Sequence, residues 1–245
     1  MRLKIELELE NEHLPLDYRP TIISLFKHIL TVYENGKHFR TYYEAGKDKP
    51  FTFAVGIPGS TFTKEKILVP NRKINITFST SDIGTGIVFF NALLMQKNKS
   101  YPLAHENAMI VKNVSIEKEI SITTNTIDVI FKSPLCVREH SKENNKDIYY
   151  SYEKKGFNEV LNKVVELQIA KSNSLPTSIL GDFSINTIDC KKTVVKHHSQ
   201  FIEATVGMFR LTGNIALLNY LYTNGIGSRK SSGFGLIEII RKETL

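Results

Sequence analysis

Cysteine is scarce in this chain. Two occur, Cys136 and Cys190, far apart and in strand-like surroundings. That count excludes a disulfide framework, and without a Cys-x-x-Cys pair the common zinc spacings are excluded as well. Long apolar runs are missing, and none approaches the roughly 20 residues that span a bilayer as a helix. The start, Met1-Arg2-Leu3-Lys4, leads straight into a strand pattern and lacks signal-peptide form, so the expected location is the cytoplasm, with no membrane partner. No carboxylate or cysteine pattern supports a metal site. His197 and His198 are adjacent, and neighbours on a strand point to opposite faces. No metal or organic cofactor is expected. Negative charge is also in deficit: 25 Asp and Glu stand against 32 Lys and Arg, for a net charge of +7. Such an excess raises the local concentration of phosphate polymers.

What is present begins with Gly225-Ile226-Gly227-Ser228-Arg229-Lys230-Ser231-Ser232-Gly233-Phe234-Gly235. Glycine permits positive φ and close backbone approach. Serine hydroxyls and the Arg229-Lys230 charges between the glycines suit a phosphate chain. Ile215, Leu218 and Tyr222 lie at helical spacing before the loop, and Leu236 to Ile240 reads as a strand after it. The order helix, loop, strand is the reverse of the one that brings a dinucleotide pyrophosphate to a helix N-terminus. The loop also lacks the Gly-Lys-Ser/Thr ending of a mononucleotide P-loop.

The 245 residues suit one large domain or two smaller ones. Leu3, Ile5, Leu7 and Leu9 alternate with charged residues, as on a half-buried strand. Pro20 opens a helix with Ile22, Ile23, Phe26, Ile29, Leu30 and Tyr33 on one face. Strands are expected at Phe51–Val55, Ile74–Phe78 and Met109–Ile116. Between the last two, Ser81-Asp82 caps a helix with Ile83, Ile87, Phe90 and Leu94 turned inward. The order β-α-β-β-α-β then recurs. A strand holds Ile127, Val129 and Phe131, and a helix holds Phe157, Val160, Leu161, Val164, Val165 and Gln168. Two strands cover Phe183–His197 and Phe201–Leu211, and the last helix and strand flank the glycine loop. The fold class is therefore α+β, with two tandem ferredoxin-like domains at 1–120 and 126–245. Ser141 to Lys155 reads as a mobile polar loop followed by Tyr149, Tyr150 and Tyr152.

Two such units with a C-terminal Gly-x-Gly…Gly-x-Gly loop resemble the repeat-associated mysterious protein (RAMP) superfamily of CRISPR systems. Lys49-Pro50-Phe51-Thr52-Phe53-Ala54 is similar to the second strand of its endoribonuclease branch. The resemblance implies metal-independent cutting of CRISPR repeat RNA, that is, precursor crRNA processing. It places the active-site histidine between the first helix and that strand. The interval Tyr33 to Lys47 holds one histidine, His38. Histidine transfers protons near neutral pH. His38 is thus the expected general acid or base, with Tyr43 (or Tyr42) as its partner. Lys47 stabilises charge at phosphorus, with Arg40 and Lys49 as substitutes, and His28 is the competing histidine.

The expected RNA contacts are Gly225, Gly227, Ser228, Arg229, Lys230, Gly233 and Gly235 of the loop, with Lys191, Lys192 and Lys196 of the second domain's hairpin. The expected products are a 2′,3′-cyclic phosphate and a 5′-hydroxyl. A non-catalytic RNA-binding subunit of an interference complex is the rival reading. Other effector subunits, or a second copy of the chain in a homodimer, are the further partners considered.

Overall fold

Alternation along the first strand sets the arrangement of the N-terminal part. The computed structural model describes residues 1–43, 49–104, 106–141, 146–172, 174–198 and 200–240. Strand β1 (Arg2–Leu9) buries Leu3, Ile5, Leu7 and Leu9. The short β2 (His13–Pro15) follows, then α1 (Arg19–Val32) and α2 (Lys37–Tyr43). Next come β3 (Thr52–Gly56), β4 (Thr61–Phe62), β5 (Lys66–Leu68) and β6 (Lys73–Ser79). Helix α3 (Ile83–Met95) precedes β7 (Ser100–Leu103) and β8 (Asn107–Glu117). One sheet runs β3-β6-β1-β8-β7, and a smaller one runs β2-β5-β4. Leu3, Ile5 and Leu7 of β1 face Phe78, Ile76 and Ile74 of antiparallel β6. Phe26 of α1 meets Phe53 of β3 edge-on at 5.2 Å, and Phe89 of α3 stacks on Phe78 at 4.6 Å. These rings supply a large buried apolar area together with directional packing.

The phase of α3 differs from the expectation. Asp82 caps it, accepting from the backbone N–H groups of Gly84 and Thr85. Its inward residues, however, are Thr85, Gly86, Phe89, Ala92 and Leu93. Ile83, Ile87 and Leu94 are exposed, and Phe90 is half-buried. The helix is apolar on nearly every side, so hydrophobic spacing alone carries no phase. Gly86 lies on the buried face, where a Cβ would meet the Met1 side chain.

The C-terminal part holds β9 (Thr126–Phe131), β10 (Val137–Ser141), β11 (Lys146–Tyr150) and α4 (Phe157–Ser172). They are followed by β12 (Ser184–His197), β13 (Gln200–Thr212), α5 (Ile215–Asn224) and β14 (Ile237–Ile239). Its main sheet runs β12-β13-β9-β14. Strands β10 and β11 form a separate hairpin where a mobile loop was expected, and residues 142–145 lie outside the described residues. The correction has a local cause. Arg138 and His140 of β10 each bond to Asp147 of β11, so a polar composition accompanies fixed structure in these strands. The core of this part joins Val129, Leu161, Val165, Phe209, Leu218 and Ile237.

By contacts the chain divides into a unit of Met1–Glu119 with Lys196–Ser199, and a unit of Ile120–Val195 with Gln200–Leu245. Within the first, the backbone N–H of His198 donates to Asp17 at 2.9 Å. His198 leaves the strand at φ 48°, and its ring packs 4.4 Å from that of His197. The opposite-face expectation for this pair therefore does not hold at the hairpin tip. Among the described residues, no helix is long and apolar enough to cross a membrane.

Candidate active site and nucleic-acid interface

The described part of the segment expected to be catalytic, residues 33–43, is helical. Between α1 and α2 the chain makes an elbow in which Glu34, Asn35 and Gly36 all take positive φ, at 46°, 55° and 78°. Two non-glycine residues in this region are costly, and such geometry gathers at functional sites. The elbow returns Glu34 to the first turn of α2, where its carboxylate lies 3.0 Å from His38 Nε2. Hydrogen bonding from His38, then from Tyr33, lowers the pKa of Glu34. The His38 ring stacks on Tyr33 at 5.7 Å. The side chain of His38 is 19% exposed.

The expected tyrosine partner is placed differently. Tyr43 lies five residues beyond His38 on α2, about 140° around the helix axis. Its ring stacks on Phe39 at 5.7 Å, and the Lys27 and Lys49 ammonium groups lie 5.4 and 5.2 Å from its centre. Its hydroxyl is buried without a hydrogen-bond partner among the described residues. Burial raises the pKa of that hydroxyl. Tyr42 is buried and donates to Thr85 at 3.0 Å, a packing role. Lys47 lies outside the described residues, and Arg40 is exposed. His28 is half-buried, its ring 5.0 Å from that of Tyr101.

The glycine loop is a tightly knitted turn. Gly225 ends α5 at φ 73° and ψ 174°, a backbone region open to glycine almost alone, and donates to the Leu221 carbonyl. Ile226 donates to Gly235, Gly235 to Pro134, and Ser228 to Cys136. A Cβ on Gly227 would lie 2.6 Å from the Cys136 carbonyl oxygen, and one on Gly235 would collide with the Ile226 carbonyl. Close approach at Gly227 and Gly235 is therefore to the chain's own backbone. The half-buried outer turn carries Ser228, Arg229 and Lys230, with Arg229 at φ 57° and Gly233 at φ 83°. Arg229 donates to Tyr149 at 2.8 Å and to Asp147 at 3.2 Å.

On β12, Lys191, Lys192 and Lys196 are all exposed, and Lys192 pairs with Glu203 at 3.0 Å. Among the described residues, no group of three or more His, Cys, Asp or Glu side chains is placed to hold a metal ion.

Comparison with known proteins bears on both regions. The family model for the C-terminal part of the CRISPR-associated protein Cas6 matches residues 116–239. The chain belongs to the Cas6 family. A CRISPR-associated endoribonuclease-like protein, Cas6nc, of Pyrococcus horikoshii is 24% identical over 75% of this chain and 81% of its own length. A Cas6 endoribonuclease-like protein of Pyrococcus furiosus is 25% identical over 73% of this chain and 72% of its own. The solved structure of a Cas6-related protein from P. furiosus superposes with a TM-score of 0.83 at 21% identity, covering 99% of each chain. A RAMP protein described as binding different RNA substrates superposes at 0.80 and 20% identity, over 98% of this chain and all of its own. Within this Cas6 chain the family match takes in the β10–β11 hairpin, β12 and the glycine loop, while Glu34 and His38 lie ahead of it. Sequence reading missed Glu34, Arg138, His140 and Asp147. For Glu34 the available signal was a carboxylate four residues before the histidine.

Proposed function

We propose that this chain is a metal-independent endoribonuclease that cuts CRISPR repeat RNA to process precursor crRNA. The observation that carries the proposal is the Glu34–His38 pair in a chain of the Cas6 family. In the reaction the 2′-oxygen attacks the adjacent phosphorus, and the bond to the 5′-oxygen breaks. A proton leaves the 2′-hydroxyl and another reaches the 5′-oxygen, giving a 2′,3′-cyclic phosphate and a 5′-hydroxyl. His38 moves one of these protons through Nδ1, with Glu34 fixing its orientation. A cation of the same segment, Lys47, Arg40 or Lys49, offsets charge at phosphorus. Tyr43 belongs to the support of this helix; its buried hydroxyl is not a proton donor in this state.

We read both units as ferredoxin-like domains at 1–120 and 126–245. Support comes from the strand orders β8-β1-β6-β3 and β14-β9-β13-β12 within the sheets, each running fourth, first, third, second along its own repeat. We assign the RNA contacts to Ser228, Arg229 and Lys230 of the loop, whose glycines hold it in shape, and separately to Lys191, Lys192 and Lys196 of β12. Arg229→Ala is expected to weaken RNA binding and to lower the salt slope by about one unit. An unchanged slope across a salt titration would return the loop to a purely structural turn.

The test of the chemistry is cleavage of end-labelled repeat RNA in excess EDTA. Activity is expected to persist and to yield one product ending in a cyclic phosphate. Loss in chelator with recovery on adding Mg²⁺ or Mn²⁺ would overturn the mechanism. The second reading is a non-catalytic RNA-binding RAMP subunit, and its support is that the family match at residues 116–239 leaves out Glu34 and His38. RNA binding with no cleavage under any of these conditions would establish it.

A further inference from the structure

The β10–β11 hairpin carries a second polar constellation. Its antiparallel register pairs Arg138 with Tyr149 and His140 with Asp147. Cross-strand partners share a face, as do residues two apart on one strand. One face therefore holds an arginine, a histidine, a carboxylate and a phenol, while Glu139 and Ile148 point the other way. Arg229 of the glycine loop reaches the same face, its guanidinium 5.8 Å from the centre of the Tyr149 ring. Asp147 is the hub. Its Oδ2 accepts from Arg138 at 3.0 Å, Arg229 at 3.2 Å and Tyr149 at 3.3 Å, and its Oδ1 lies 2.9 Å from His140 Nδ1. Desolvation opposes ionisation of Asp147, but hydrogen bonds from His140 and Arg138 and the charges of both arginines outweigh it. They hold its pKa at about 2.

We infer that Asp147 is a positioning residue that fixes Arg138, His140 and Arg229 as one binding site for an RNA phosphate. This rests on the RNA reading above. Two observations favour positioning over simple neutralisation. Each arginine meets Asp147 through a single terminal nitrogen, and a guanidinium has five N–H donors, so capacity for a phosphate remains. The side chains of Arg138 and His140 are also 34% and 45% exposed, so the cluster opens to solvent. Two arginines against one carboxylate leave it cationic, more so when His140 is protonated. An arginine already held by a carboxylate loses less rotamer freedom when it takes up a phosphate.

The test rests on the sign of one change. Asp147→Asn raises the net charge from +7 to +8, since one negative charge is lost. Bulk electrostatics alone then predicts tighter RNA binding. The inference predicts the opposite: affinity for repeat RNA about 3- to 10-fold weaker, with the melting temperature monitored in parallel. In an Arg138→Ala, Arg229→Ala background the same substitution is expected to bind RNA equally well or better, because nothing remains for Asp147 to position. Equal or tighter binding by D147N in the parent chain overturns the inference and leaves the RNA reading intact. An equal loss in both backgrounds also overturns it, by showing a general structural effect. Failure of the parent chain to bind RNA overturns both.

Discussion

His38→Ala is expected to slow RNA cleavage by about 10²–10⁴-fold, the usual contribution of a positioned general acid or base. The assay is single turnover with enzyme in excess, which separates chemistry from product release. RNA affinity should hardly change, since one side chain among many phosphate contacts contributes little. Glu34→Gln should give a smaller loss, about 10-fold, because the amide still bonds Nε2 but no longer supports a positive ring. Tyr43→Phe should cleave at the parent rate, since it removes a buried hydroxyl that has no hydrogen-bond partner among the described residues. A parent-like rate for His38→Ala would remove His38 from the mechanism and make His28 the next histidine to test. If His28→Ala were also silent, the non-catalytic reading would replace the enzyme.

Gly235→Ala should have the largest effect on stability. Gly235 holds φ 75°, and its new Cβ would strike the Ile226 carbonyl. That carbonyl cannot readily retreat, because Ile226 N–H is bonded to the Gly235 oxygen at 2.9 Å and Gly235 N–H to Pro134 at 2.9 Å. Backbone strain and the clash together should cost about 3 kcal/mol or more. The melting temperature should fall by something on the order of 10 °C. Gly59→Ala is the control. Its φ is 69°, but the nearest atom, Asn71 Nδ2, lies at an ordinary 3.5 Å, so only the conformational cost of about 1 kcal/mol applies. Equal melting of the two variants would show that the loop yields and that tight backbone packing is not why glycine stands there.

The order of the principal strands and helices was legible in the residues, while α2, the β2-β5-β4 sheet, β7 and the β10–β11 hairpin were not. Leu3, Ile5, Leu7 and Leu9 alternate, and Ile22, Phe26, Ile29 and Leu30 recur at helical spacing. Both patterns are local, and burial of one face enforces them. The glycine loop was visible as four glycines within eleven residues, but that its close approaches at Gly227 and Gly235 are to the chain's own backbone was not. Tertiary structure decided what local pattern could not. Which face of α3 turns inward depended on what α3 meets, because its apolar residues surround the axis. The polar residues from Ser141 to Lys155 have no apolar period, and by pattern alone they read as a mobile loop. The strands described there, β10 and β11, are held by Asp147 bonding to Arg138 and His140 across the hairpin, and to Arg229 from 82 residues away. His38 could be named from the sequence, but its partner could not. Three successive positive φ values fold Glu34 back onto the helix that follows, and backbone geometry of that kind has only a weak signature in residue type. Side-chain identity and spacing thus determined the principal elements and the chemically able residues. The contacts that select a helix face, order a polar hairpin and orient a histidine form only when distant or backward-folded segments meet.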